Sequence, residues 1–263
     1  ARWLGGVVHG DFGISLYERR PAARVAAEAL PATLLLAATA LVCEAGGGLL
    51  LGVAAARRRG SAADQVLRIT SLVLYSQPTF WLGLMAILVF SYLWPVLPAS
   101  HMHSVGAEQM GRWGRLLDLG RHLALPALVM GVSEAGGRAR FVRASLIEAM
   151  SGDHIRTARA KGLSERRVVW VHGLRTAVIP LVQLSGISLP LLLSGALIVE
   201  VIFSWPGLGR LTFGAILTRD YPLVLCTTAF AGAMVVAGSL AADLALAALD
   251  PRVRTPEGGM RMG

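Results

Sequence analysis

Cysteine, lysine and charge are all scarce in this chain of 263 residues. Its two cysteines, Cys43 and Cys226, sit in apolar runs, where a thiol behaves as a small hydrophobe. They have no metal-binding spacing and indicate no disulfide framework. The single lysine, Lys161, is followed by Gly162 and Leu163. A phosphate-cradling loop needs Gly-Lys-Ser/Thr, so the chain carries no P-loop and cannot be a P-loop ATPase on its own. It also has no Gly-x-Ser-Gly nucleophile with a histidine in a later apolar run, and its Gly10-Asp11 and Gly152-Asp153 pairs lie outside such runs. That argues against an intramembrane hydrolase. Residues Ala1-Arg2-Trp3-Leu4-Gly5 open the chain without the basic region and short apolar core of a signal peptide. Charged residues make up 16% of the chain, where a soluble domain carries about 25%.

What fills the space is apolar: 54% of residues are hydrophobic, and they run together. Five stretches stand out, Leu30–Ala56, Ile69–Leu97, His122–Ala149, Leu174–Phe203 and Pro222–Leu249. Each is long enough to cross a bilayer, whose hydrocarbon core asks for about 20 apolar residues in a helix. The expected fold is all-α, a polytopic transmembrane helical bundle with five spans in this chain. Pro31 and Pro222 are placed in first helical turns, where a missing N–H is tolerated; Pro78, Pro126, Pro180 and Pro190 fall inside spans and predict kinks. Small residues (Gly46, Gly47, Gly48 and Gly52; Gly186, Ser194 and Gly195; Gly232 and Gly238) suit close helix approach, or reflect composition alone. Glu134, Arg138, Arg140 and Arg143 interrupt the third stretch, whose basic end is expected to emerge into the next loop.

The net charge of +9 would in a soluble protein suggest nucleic acid, but in a membrane protein it must first be placed. The loops alternate sides. Segments 57–68, 135–176 and the tail then share one side with 16 basic residues, against 9 on the other. The positive-inside rule puts the 16 in the cytoplasm, with the C-terminus, and leaves the N-terminal segment outside. An odd number of spans with an external start predicts a further N-terminal span upstream.

Segment 135–176 alone carries +6. Asp153 is expected to cap a short helix ending at Gly162, and Ser164 to cap the helix that returns to the membrane. A capped helix with a small-residue centre at Thr157, Ala158 and Ala160 suits a socket on a partner; a solvated basic loop is the alternative on these features alone.

Here the sequence resembles the inner-membrane permeases of ATP-binding-cassette (ABC) importers, specifically the dipeptide/oligopeptide permease family. Arg156-Thr157-Ala158-Arg159-Ala160-Lys161-Gly162-Leu163-Ser164 is similar to that family's cytoplasmic coupling (EAA) loop. The general EAA pattern opens with Glu where this chain has Arg156, and its closing Ile-x-Leu-Pro is approximated by Ala177-Val178-Ile179-Pro180. Further matches run in order: Gly10-Asp11-Phe12-Gly13, Leu30-Pro31-Ala32-Thr33, Pro78-Thr79-Phe80-Trp81-Leu82-Gly83, Leu97-Pro98-Ala99-Ser100, the Glu200 to Arg210 segment, and Asp250-Pro251-Arg252. The resemblance implies a type I importer permease fold, with an external segment over 1–30, a transmembrane domain over 31–250 containing the coupling loop at about 148–167, and a cytoplasmic tail over 251–263. It implies no cofactor in this chain, ATP and Mg being bound by two partner ATP-binding subunits. The other implied partners are a second homologous permease and an extracytoplasmic solute-binding protein, beside the lipid bilayer and no nucleic acid. The chain is then a transport subunit and not itself an enzyme. Di- or oligopeptides are the expected cargo, with nickel chelates or glutathione as family alternatives. An ion-driven secondary transporter is the rival class, and no inverted repeat between the halves supports it.

Outside the loop segment 135–176, four acids fall inside the apolar stretches: Glu44, Glu134, Glu200 and Asp243. Each could line the pathway or serve the structure through a partner within the bundle, and the structural role is favoured. Phe80, Trp81, Tyr92 and Trp94 are read as core or interfacial residues.

Overall fold

The computed structural model describes residues 5–6, 10–174 and 196–249, and these are almost wholly helical. Helix α1 spans Ala22–Arg57, α2 Ala62–Ser76 and α3 Thr79–Ile87, which continues as a π-helical turn over Leu88–Leu93. Helix α4 spans Arg112–Ala149; after it come the short helices α5, Asp153–Ala160, and α6, Glu165–Arg167, and a second π-turn over Val168–Gly173. Helix α7 occupies 196–202, α8 Leu208–Leu217 and α9 Tyr221–Leu249.

Three of these helices, α1, α4 and α9, are long and apolar enough to cross a membrane, and α2 with α3 makes a fourth if the pair is one span. The fourth apolar stretch, Leu174–Phe203, lies mostly outside the described residues, as do Pro180, Pro190, Gly186, Ser194, Gly195, the Ala177 to Pro180 approximation, and Asp250-Pro251-Arg252 with the tail.

Several boundaries differ from the sequence expectation. Helix α1 begins at Ala22 rather than at Leu30, so Pro31 stands in its interior and not in its first turn. The chain from Ala22 to Ala29 is rich in alanine, which favours helix, but Arg24 and Glu28 keep it out of an apolar run. Helix α4 likewise starts at Arg112, ahead of His122, and runs through Pro126 and the charged positions to Ala149 without a break. Among the described residues, Pro78 is the interior proline at which the helix is broken. The chain leaves α2 at Gln77, restarts at Thr79, and the two arms are bent by 101°. Pro222 sits at the second position of α9, in its first turn.

The core joins α1, α4 and the α7 region: Leu36 and Ala40 pack with Leu125, Met130, Val199, Phe203 and Trp205. Helices α1 and α4 meet along a small-residue seam. A Cβ on Gly52 would lie 2.7 Å from the Ala139 carbonyl oxygen, and one on Gly131 would lie 2.9 Å from that of Ala40. Gly47 and Gly48 share the seam, whereas Gly46 and Gly232 face open space. The close approach is the packing expected where van der Waals contact, not water, drives association. Gly136 makes the tightest approach between α4 and α2, since a Cβ there would overlap the Ser71 carbonyl oxygen. Gly136→Ala is expected to lower stability by about 1–3 kcal/mol, the usual cost of overpacking, read as a lower thermal midpoint in detergent.

The segment before α1 is clasped to the far end of the chain by Asp220. Its carboxylate accepts from the Ser15 hydroxyl at 2.5 Å, the Tyr17 N–H at 3.1 Å and the Leu223 N–H at 3.3 Å. Burial works against the ionised form, but these donors outweigh it and hold the carboxyl below its usual range.

Candidate functional site

The segment 148–167, expected to serve coupling, is a compact hairpin of helices set on the end of α4. Helix α4 closes at Ala149, and Met150 to Gly152 turn the chain into α5. Gly152, not Asp153, occupies the cap position; Asp153 is the first helical residue, where its negative charge suits the positive end of the helix dipole. Helix α5 ends at Ala160, and Gly162 follows with φ +74°, a left-handed conformation that glycine adopts without a Cβ penalty. Ser164 is at the cap position of α6 as expected, although its side chain makes no capping hydrogen bond.

Two residues fasten α5 to the rest. Ile155 is fully buried and Ala158 is 4% exposed, three positions apart on one face, packed on Val168, Met150 and Leu163. Of the nine positions from Arg156 to Ser164, Ala158 is buried and Leu163 half-buried, so these two seat the helix. Arg156, Thr157, Arg159, Ala160, Lys161, Gly162 and Ser164 are exposed on the other side. Among them Arg159 is held in a fork by Glu165, with Nε at 2.6 Å and Nη2 at 3.4 Å, which ties α5 to α6 across the Gly162 turn and raises the guanidinium pKa further. Arg156 reaches Asp153 at 3.4 Å, a loose exposed pair worth little. The exposed rim is therefore cationic on a rigid base.

That base is locked to two spans. Gly173 leaves room for the Met150 Sδ and Leu146 Cδ1 atoms, which a Cβ there would approach to 2.9 and 3.0 Å. Arg143, near the end of α4, donates to both oxygens of Asp64 at 2.8 and 2.7 Å, and Asp64 also accepts from the Gly60 N–H. The loop between α1 and α2 is thus bound to the helix that enters the coupling segment. A cleft of about 470 Å³, lined by Arg57, Arg59, Ile147, Ser151, Arg159 and Glu165, opens beside it. Glu165, Ile155, Gly173 and the Asp64–Arg143 pair were not singled out in the sequence. The Ile155/Ala158 spacing in an otherwise polar helix was the available signal.

The four acids separate by environment. Glu44 on α1 is 1% exposed and accepts from Arg138 Nε. Arg138 is itself 4% exposed, so this arginine stays inside the bundle and does not emerge into the loop. Glu134, one turn earlier on α4, is half-buried and within electrostatic reach of both Glu44 and Arg138. Glu200 is fully buried; it accepts from the Thr33 hydroxyl at 2.6 Å and the Arg210 N–H at 3.0 Å. Asp243 is exposed on α9. Glu44 and Glu200 therefore have structural partners, and the structure does not bring the four together. Among the described residues no group of His, Cys, Asp and Glu could hold a metal ion.

The family described as "binding-protein-dependent transport system inner membrane component" matches residues 48–255. The oligopeptide transport system permease protein AppB of Bacillus subtilis (strain 168) is 36% identical over 253 residues, covering 96% of this chain and 78% of that protein. The dipeptide transport system permease protein DppB of Escherichia coli (strain K12) is 37% identical over 268 residues, covering 96% and 79%. The glutathione transport system permease protein GsiC of Escherichia coli O1:K1 is also 37% identical, over 252 residues, covering 96% and 78%. Among solved structures, that of an amino acid ABC transporter with histidines superposes with a TM-score of 0.53 at 16% identity, covering 87% of this chain and 94% of the other, which shows a shared fold. The matched region contains the segment 148–167, Glu134, Glu200 and most of the helices, and the chain belongs to the binding-protein-dependent transport system inner membrane component family, as an ABC transporter permease of the dipeptide/oligopeptide type.

Proposed function

We propose that this chain forms, with a second permease subunit, the membrane path of an ABC importer for di- or oligopeptides. Two ATP-binding subunits would drive it from the cytoplasm, where they bind ATP and Mg, and an extracytoplasmic solute-binding protein would deliver the cargo. The coupling segment carries this reading: α5 is pinned from below by Ile155 and Ala158 and presents an exposed cationic rim on a base fixed to α2 and α4. Such a base passes a partner's displacement on as rigid-body rotation. Arg156 and Lys161 supply charge for encounter and register with an ATP-binding subunit. Peptide cargo follows the named function of the relatives from Bacillus subtilis and Escherichia coli, with glutathione as the alternative. The excess of arginine in 57–68 and 135–176 supports a cytoplasmic side for the coupling segment and the C-terminus.

Gly162→Val tests the coupling. A β-branched residue in a left-handed position costs about 1–2 kcal/mol, which displaces the docked arrangement by a factor of roughly 5–30. With the partner subunits reconstituted in proteoliposomes, the variant is expected to insert normally and hydrolyse ATP while peptide uptake per ATP falls about tenfold. Wild-type uptake per ATP in the variant would remove the loop from the mechanism. Uptake that survives loss of the ATP-binding subunits and collapses with the proton gradient would overturn the importer reading in favour of an ion-driven transporter.

A further inference from the structure

A second cationic feature lies away from the coupling rim. Arg68 on α2 and Arg140 and Arg143 on α4 line, with Ile69 and Leu72, a cleft of about 320 Å³. Arg143 is fixed by its bidentate bond to Asp64, and the Arg140 guanidinium lies over the Tyr75 ring, 5.1 Å from its centroid. Two of the three guanidinium groups are therefore already oriented, which reduces the ordering cost of binding an anion. Arg143 engages both oxygens of Asp64, which is also within electrostatic reach of Arg68; neither Arg68 nor Arg140 forms an ion pair with an acid among the described residues. Three planar, five-donor groups against one carboxylate leave a cationic cluster that matches the oxygens of a phosphate.

The walls of the cleft say where that phosphate comes from. On α2 the side chains of Val66, Ile69, Leu72 and Val73 are each at least half exposed, and on α4 Phe141 is exposed next to Arg140. The 101° bend turns this apolar face of α2 out of line with α3. A helix with an exposed apolar face, flanked by arginine and turned out of line with its neighbour, suits the boundary between headgroups and acyl chains. A soluble anion would have no use for the apolar wall.

We propose that this cleft binds the phosphate of an anionic phospholipid in the cytoplasmic leaflet, with the guanidinium groups of Arg68, Arg140 and Arg143 as donors and the apolar face of α2 against the acyl chains. The proposal takes from the functional reading only the side of the membrane. Basic pockets between transmembrane helices on that side are a recurrent form of headgroup site. Because the lipid would bridge α2 to α4 just above the Asp64–Arg143 bond, its place in the fold is at the root of the coupling segment.

The test uses the full chain purified with its co-expressed partner subunits and scores bound lipid by native mass spectrometry, a readout that needs no transport. Phosphatidylglycerol is titrated against phosphatidylcholine, with wild type, Arg68→Gln, Arg140→Gln, the double Gln variant and the double Lys variant. Each arginine removed is expected to weaken phosphatidylglycerol binding about fivefold, so that the double Gln variant loses roughly 25-fold. The double Lys variant keeps the charge and most of the binding, and each single Gln variant carries the measurement if the double one fails to assemble. Equal binding of the two lipids, or phosphatidylglycerol binding unchanged in the Gln variants, overturns the proposal. So does displacement of the bound lipid by millimolar glycerol 3-phosphate, which would assign the cleft to a soluble anion. If uptake proves independent of ATP while the lipid result holds, the functional reading fails and this site stands.

Discussion

Replacing Arg138 with leucine is expected to remove most of the correctly assembled protein from the membrane fraction. Arg138 and Glu44 are both nearly fully buried, and Arg138 Nε donates to the Glu44 carboxylate, linking α4 to α1 at the centre of their glycine seam. The second carboxylate oxygen of Glu44 has no hydrogen-bond partner among the described residues. Removing the guanidinium strands a buried negative charge, a loss of about 3–5 kcal/mol. Set against a total stability of roughly 5–15 kcal/mol, that is enough to depopulate the fold. Arg138→Leu should therefore give little monodisperse protein after detergent extraction. The double variant Glu44→Leu/Arg138→Leu should recover it, because replacing both charges by apolar groups of similar volume is often neutral or better. Recovery of folded protein in the double variant, with uptake retained, identifies the pair as structural. If Arg138→Leu instead gave wild-type yield and abolished uptake, Glu44 and Arg138 would belong to the pathway.

This pair also marks where the sequence could be read and where it could not. Runs of apolar residues in 30–56, 122–149 and 222–249 were sufficient to identify α1, α4 and α9, because hydropathy reports the thickness of the bilayer. It does not report the length of the helix. Helix α1 has 36 residues and would extend about 54 Å, far more than the roughly 30 Å of a hydrocarbon core, so its first turns at Ala22 to Ala29 lie beyond any apolar window. Arg138 was expected to leave the membrane for the same reason: a charge in an apolar run looks like an end. Its partner is 94 positions away, and nothing local to either residue announces the contact.

The turn chemistry of segment 148–167 was legible in a different way. Gly162 and Ser164 are punctuation whose meaning is local, and both stand where the chain turns. What the sequence did not separate is the inner from the outer face of α5. Thr157, Ala158 and Ala160 are all small, and beyond the three-residue spacing from Ile155 it is the packing against Val168 that shows Ala158 turned inward. The Gly207 and Gly209 positions, likewise, enter the sequence reading only as part of the Glu200 to Arg210 segment. In the structure Gly207 is required by the Glu200 carboxylate, which a Cβ there would overlap, and Gly209 by the Leu197 backbone, whose Cα a Cβ there would approach to 2.5 Å.

Glu200→Ala is expected to be the second severe variant, and its pattern of failure distinguishes the two roles open to a carboxylate inside the bundle. Glu200 is fully buried at the end of α7, where its oxygens accept from the Thr33 hydroxyl of α1 and from the Arg210 N–H in the first turn of α8. Thr33 in turn accepts from the Leu208 N–H at 2.8 Å, and the Trp205 indole N–H donates to the Ala32 carbonyl at 2.8 Å. The carboxylate thus joins three helices and places a negative charge against the positive end of the α8 dipole. Truncation to alanine leaves the Thr33 hydroxyl and the Arg210 N–H without their acceptor, at about 1–3 kcal/mol for each buried donor. Glu200→Gln keeps the shape and one acceptor oxygen, so it should lose only a fraction of this. The expected order of thermal midpoints is wild type above Gln above Ala, and peptide selectivity of the surviving protein should be the same in all three. A shift in selectivity toward peptides with a different amino-terminal charge in Glu200→Gln, at wild-type stability, would instead put this carboxylate on the pathway.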